Sequence, residues 1–139
     1  MSHVFPHHGN GKSACRFKSS PEAEYLIGNG GNTMTLIMLR RYLAEFIGTF
    51  AYVFFGCGTR ILVGGGQDAA SRLLVYFTFG FALLALTYAL GHFSGAPFNP
   101  ATTFGFAVAR RFPWRYLLPY WFFQVSGALT ASTVLLRYM

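Results

Sequence analysis

Residues 94–104 read Ser94-Gly95-Ala96-Pro97-Phe98-Asn99-Pro100-Ala101-Thr102-Thr103-Phe104, and they interrupt an otherwise apolar chain with two prolines and a glycine. Such a run cannot sit inside a helix, because proline lacks the N–H of the ladder and its ring clashes with the preceding turn. Asn99 suits an N-cap, and Pro100 suits the first helical position, where its N–H would be unpaired anyway. Ala101 to Ala109 can then resume a helix, until Arg110-Arg111-Phe112-Pro113 stops it. Counted from Asn99 this is about 11 residues, or roughly 16 Å, around half the hydrocarbon thickness of a bilayer. A plain turn between two full crossings is the competing reading. It would require one helix from Ala101 to Leu136, with Arg110, Arg111 and Pro113 inside the membrane, and it fails there.

Composition sets the medium. Of 139 residues, 53% are hydrophobic and 11% charged, poor in charge beside the roughly 25% of a soluble domain. The net charge of +7 does not point to nucleic acid: Arg40, Arg41, Arg110, Arg111 and Arg115 sit at the margins of apolar segments and form no stripe. Residues 1–37 are expected to form a flexible polar tail, rich in Gly, Asn, Ser and His. Its Gly9-Asn10-Gly11-Lys12-Ser13 lacks the spacing of a phosphate-binding loop, with Pro6 where glycine is required. His3, His7, His8 and Cys15 lack the framework of a metal centre, and Cys15 and Cys57 differ too much in setting to form a disulfide framework. No metal and no cofactor is expected.

Three segments are long enough to cross a bilayer: about 42–63, 73–90 and 114–136, with a re-entrant loop and half-helix over 92–109. The fold class expected is therefore an all-α polytopic membrane bundle of three transmembrane helices and one half-helix. In the first segment Glu45, Gly48, Thr49, Tyr52 and Gly56 share a face, which suits packing against other helices. Gln124, Gly127, Ala128 and Ala131 do the same in the third. Arg40, Arg41, Arg110, Arg111 and Arg115 lie on one side, with Lys12, Arg16 and Lys18 of the tail, against Arg60, Arg72 and Arg137 on the other. The positive-inside bias thus predicts a cytoplasmic N-terminus and a loop that dips in and leaves on the cytoplasmic side.

Irregular backbone at membrane depth must be buried in protein or line a wet cavity. The half-helix would present its positive dipole end there, and the Asn99 amide N–H2 stays free to donate. Before it, the carbonyls of Gly95, Ala96, Pro97 and Phe98 can form a ladder of acceptors, with Ala96 held extended by Pro97. Neutral hydrogen-bonding solutes suit such a lining and cations do not. Nothing near Glu45 supplies a second carboxylate, a metal set or a nucleophile, so an enzyme is not expected. His92 is read as a hydrogen-bonded helix-end histidine rather than a pH sensor.

Three local motifs resemble the aquaporin and glycerol-facilitator channels, the major intrinsic protein family, over residues 38–139. They are Ala44-Glu45-Phe46-Ile47-Gly48-Thr49, then Gly91-His92-Phe93-Ser94-Gly95-Ala96-Pro97-Phe98-Asn99-Pro100-Ala101 with Thr103, and Gln124-x-x-Gly127-Ala128. Pro97 stands where the family usually has His, and Thr102 where it usually has Val. The resemblance implies a channel of two inverted repeats, each giving one Asn-Pro-Ala half-helix, of which residues 38–139 would be the first. It implies Asn99, Pro100 and Ala101 as the pore motif, Phe79 as a selectivity-filter position, Tyr52 and Leu83 as pore wall, and Glu45 and Gln124 as structural braces. Phe79 looks like the water-selective members, since the glycerol facilitators usually carry Trp. The implied partners are water or small neutral solutes, the lipid bilayer of a plasma or bacterial inner membrane, the missing second repeat and, at full length, a homotetramer. A truncated, non-conducting membrane fragment is the alternative of another class.

Overall fold

The computed structural model describes residues 31–65 and 68–138, with side chains from Thr35 onward. The expected tail up to residue 30, with Cys15 and the three N-terminal histidines, lies outside the described residues. Four α-helices follow: α1 (Gly31–Leu62), α2 (Ala69–Ser94), α3 (Pro100–Val108) and α4 (Leu117–Tyr138), the last entered through a 3-10 turn at Trp114–Tyr116. No strand occurs among the described residues. The first helix begins ahead of the expected Tyr42, so residues 31–37, expected in the tail, are helical. The second runs past Gly91 through His92 and Phe93 to Ser94, because the left-handed residue that ends it is Gly95, whose N–H returns to the Gly91 carbonyl at 2.9 Å. At its start Asp68 caps the first turn by accepting from the Ser71 N–H at 2.8 Å. That bond holds the Asp68 carboxyl below the usual carboxylate range.

The half-helix is shorter than its spacing implied, with 9 residues from Pro100 to Val108. Arg110 adopts a left-handed φ of 58°, and the Arg111 N–H closes back onto the Phe106 carbonyl at 2.9 Å. This is the usual way a helix turns off, except that an arginine holds the position that glycine normally takes.

Helix α1 is the centre of the bundle, packed against both α2 and α4, with α3 lying on α4. Near their ends, Gly58 of α1 meets Leu135 of α4, and near their starts Arg41 and Tyr120 line one pocket. These two helices therefore run parallel. Their closest approach is at Gly127, where a Cβ would stand 2.5 Å from the Phe46 carbonyl oxygen and 3.1 Å from the Phe50 nitrogen. Glycine is what lets the two backbones touch.

Polarity is distributed inside out. The largest fully buried side chains are Gln124, Glu45 and Thr103, whereas Leu84, Phe81, Tyr88 and Leu136 stand exposed. Among the described residues one helix, α2, is long and apolar enough by length and composition to cross a membrane. The other long helices are more polar: α1 carries Arg40, Arg41, Glu45 and Arg60, and α4 carries Gln124 with a run of Ser and Thr. The exposed hydroxyls are quenched locally. Thr59, Thr78, Ser126, Thr130, Ser132 and Thr133 each donate to the carbonyl one turn back, at 2.7–2.9 Å, which leaves fewer free donors on a surface rich in exposed apolar side chains.

The close approach at Gly127 gives a matched test on one helix pair. Gly127→Ala forces two backbones apart and is expected to cost about 2–3 kcal/mol. Gly58→Ala meets Leu135 at 3.4 Å, an ordinary contact, and is expected to be neutral or to gain up to about 1 kcal/mol of helix propensity. Thermal unfolding of the two variants in the same detergent separates them, and equal melting temperatures would contradict the packing described.

Candidate functional site

The stretch between α2 and α3 is held in a conformation it would not choose. Gly95, Ala96 and Phe98 have φ of 91°, 50° and 44°. The left-handed region costs a non-glycine residue on the order of 1 kcal/mol or more, so the surroundings must enforce it. Ala96 was expected to be extended ahead of Pro97 and is not. A following proline disfavours the right-handed helical region, but here the Ala96 N–H is tied to Ser94 Oγ at 3.1 Å, which selects the left-handed alternative. Phe98 is fixed from both sides of its peptide: its N–H donates to Glu45 Oε2 at 3.0 Å, and its carbonyl accepts from Thr49 Oγ1 at 3.1 Å. Its ring fills the space over Gly48, where any Cβ would overlap it. Ala96, Pro97 and Phe98 are buried, and Gly95 is exposed. One lone pair of the Phe98 carbonyl is thus already used by Thr49.

Asn99 caps α3 from an extended backbone (φ −153°, ψ 129°), its Oδ1 accepting from the Ala101 N–H at 2.8 Å. Pro100 takes the first helical position. The Asn99 carbonyl accepts from Thr103 twice, from its N–H at 3.0 Å and its hydroxyl at 2.9 Å. Trp121 Nε1 donates to the Pro100 carbonyl at 3.0 Å. The Asn99 side chain is exposed, and its amide N–H2 donates to nothing among the described residues. An uncommitted donor therefore stands at the positive end of a short helix.

One side-chain cluster braces both halves of this unit. Gln124 Nε2 spends its two protons on Glu45 Oε2 at 2.7 Å and Thr103 Oγ1 at 2.9 Å. Glu45 Oε2 simultaneously receives the Phe98 N–H. A residue of α1 and a residue of α4 thereby hold the loop and the half-helix to each other, although 79 positions separate them. Glu45 Oε1 is buried with no hydrogen-bond partner. Tyr120 adds a bond from its hydroxyl to the Ser94 carbonyl at 3.0 Å.

The remaining site residues gather at the α1–α2 contact. Phe79 lies edge-on to Tyr52 with ring centroids 5.1 Å apart, and its ring covers Gly56 where a Cβ would overlap it. Both rings are half-buried. Leu83, one turn further along α2, is exposed. His92 is exposed with its ring against Phe93. Cys57 is a free, exposed thiol, and the described residues contain no group of potential metal ligands. The residues that sequence reasoning did not assign a site role are Thr49, Ser94, Thr103, Tyr120 and Trp121. For the two aromatics a signal was present: a tyrosine four places and a tryptophan three places before Gln124 bring polar handles to one face of α4.

This architecture can be set beside known proteins. The family profile described as major intrinsic protein matches residues 32–139. The chain is 44% identical over 99 residues to Aquaporin Z of Brucella melitensis biotype 1, covering 70% of this chain and 43% of that protein. It is 42% identical over 96 residues to Aquaporin Z of Rhodopseudomonas palustris, covering 68% and 40%. It is 45% identical over 109 residues to Aquaporin NIP1-4 of Oryza sativa subsp. japonica, covering 78% and 39%. The chain thus spans less than half the length of these relatives. A family match over most of the chain, joined to a helical bundle whose buried side chains hold an Asn-Pro-Ala helix start, leads to one assignment: the chain belongs to the major intrinsic protein family.

Proposed function

We propose that the chain forms the first of two inverted repeats of a passive transmembrane channel for water. The observation that carries this reading is the exposed, uncommitted Asn99 amide at the N-terminus of a nine-residue helix. In this reading α1, α2 and α4 cross the membrane and α3 is the re-entrant half-helix, with the N-terminus on the cytoplasmic side of a plasma or bacterial inner membrane. The arginine asymmetry supports that orientation. A helix start carries roughly half a positive charge; beside it, a neutral solute that accepts from Asn99 and donates to the carbonyls of residues 95–98 is favoured, and cations and protons are opposed. Phe79 narrows the passage as a selectivity filter, Tyr52 and Leu83 line its wall, and Glu45 and Gln124 act as its braces. A second half-helix supplies the opposite wall, and association into a homotetramer covers part of the exposed apolar surface.

Osmotic swelling of vesicles tests this. The chain fused to the second half of the Brucella Aquaporin Z is expected to raise water permeability well above bare lipid, and Asn99→Leu is expected to return it to background. Background permeability from a fusion that is folded in detergent would reject the channel reading in favour of a non-conducting membrane protein.

Water against glycerol turns on Phe79. Phe79→Ala removes the ring packed on Gly56 and Tyr52, and it is expected to raise the ratio of glycerol to water permeability several-fold in the same vesicles. An unchanged ratio would remove Phe79 from the filter.

The brace gives a prediction on order rather than flux. Gln124→Leu keeps the volume but strips Glu45 and Thr103 of their shared donor, and it is expected to cost about 2–4 kcal/mol. Amide exchange over residues 95–103 should accelerate first, ahead of α2. Uniform acceleration across the bundle would mean that Gln124 supports general packing and not the loop in particular.

A further inference from the structure

At the starts of α1 and α4 the fold closes a small pocket that the channel reading does not use. Its volume is about 60 Å³, and its walls include Met38 and Arg41 of α1, Arg111 and Phe112 from the turn after α3, and Tyr116 and Tyr120 at the entry to α4. Ser94 at the end of α2 also lines it, and two separate segments of chain, α1 and the turn after α3, each bring an arginine to one cavity. Arg41 is half-buried and Arg111 exposed, and neither side chain makes a hydrogen bond or ion pair among the described residues. The described acids are Glu45 and Asp68. Glu45 lies a turn deeper with Oε2 committed to Gln124 and Phe98, and Asp68 caps the start of α2. Tyr120 is the best-anchored residue of the lining. Tyr120 is pinned by its bond to the Ser94 carbonyl and packed edge-on by Phe112 at 4.7 Å and by Tyr42 at 5.7 Å. Arg115 stacks on the ring of Tyr116 at 4.6 Å.

We infer that this pocket is an anion site that holds the phosphate group of a phosphate ester between Arg41 and Arg111. The space equals roughly two water molecules, enough for phosphate oxygens and too small for a bulky organic acid. Arginine forks match phosphate geometry with paired donors, and two guanidinium groups with no acidic partner among the described residues, in a half-enclosed apolar site, favour an anion. The same chemistry can come from the headgroup of an anionic lipid or from free phosphate. The apolar walls at Met38 and Phe112 suit a headgroup attached to hydrocarbon, and basic pockets between membrane helices on the cytoplasmic side are where such headgroups settle. The site does not depend on conduction, although its place on the cytoplasmic side rests on the orientation proposed above.

The test titrates dioleoyl phosphatidylglycerol, dioleoyl phosphatidylcholine and inorganic phosphate into the protein in neutral detergent, read by native mass spectrometry and by melting temperature. Phosphatidylglycerol is expected to bind saturably and at least tenfold more tightly than phosphatidylcholine. Arg41→Gln with Arg111→Gln should lose at least tenfold in affinity, and Arg60→Gln with Arg137→Gln, which removes equal charge from the opposite helix ends, should lose less than twofold. Arg111→Gln alone, at an exposed position, keeps the test valid if the double variant does not fold, and it should weaken binding several-fold. Competition by inorganic phosphate assigns the free anion, and tight phosphatidylglycerol binding without competition assigns the headgroup. Equal losses in the two double variants, or binding of neither phosphatidylglycerol nor phosphate, would overturn the site.

Discussion

The structure depends on the Glu45–Gln124 contact. A carboxylate oxygen fully inside the bundle accepts at once from the Gln124 amide at 2.7 Å and the Phe98 N–H at 3.0 Å. In water such a bond would be replaceable. Buried in a protein that itself sits in an apolar medium, a missing partner costs the whole desolvation of the group. The contact therefore acts as a constraint on position: α1, α4, the loop and the half-helix satisfy their polar groups together or not at all. Thr103 extends the same constraint, taking a proton from Gln124 and giving its own to the Asn99 carbonyl.

From that constraint the odd conformation of the loop follows. Left-handed values at Ala96 and Phe98 are costly for an isolated chain, but each is tied at its N–H to a side-chain oxygen of Ser94 or Glu45. Glycines make the arrangement sterically possible. Gly127 lets α4 reach the α1 backbone so that Gln124 arrives within bonding distance of Glu45, and Gly48 leaves the hollow for the Phe98 ring. Packing and hydrogen bonding are thus one device here: without the small residues the donors and acceptors would be too far apart to meet.

How far the chain could be read from its residues depended on how local the deciding chemistry is. The cap at Asn99 and the proline after it were legible because a turn of helix contains the whole interaction. The pairing of Glu45 with Gln124 was not derivable from either residue alone; the resemblance to a known family implied only that each braces the loops, and the bond between them is seen in the structure. Helix ends were misread wherever a residue defied its own preference. Arg110 holds a left-handed position that a glycine would have announced, and Gly91, which looked like a stop, stays helical because Gly95 serves instead. Ala96 shows the same limit, since a hydrogen bond to Ser94 overrode the expectation set by Pro97. Tyr120 and Trp121 share a face of α4 with Gln124, but what their polar tips meet depends on the loop across from them: they donate inward to the Ser94 and Pro100 carbonyls.

The inverted polarity of the bundle explains why one uncommitted group matters so much. Apart from Glu45 Oε1, the buried polar side chains of Glu45, Thr49, Ser94, Thr103 and Gln124 have partners, and six Ser and Thr hydroxyls of α1, α2 and α4 are returned to their own helices. Against that background the Asn99 amide stands out as a donor with nowhere to go within the described residues. Its oxygen is fixed by the cap, so the N–H2 direction is set by the covalent geometry of the side chain and not by a free rotor. The brace thus orders more than the backbone. It converts a flexible amide into an oriented donor at the positive end of a helix, and orientation established before any solute arrives is what allows a site to select by hydrogen bonding without paying to reorganise at each encounter.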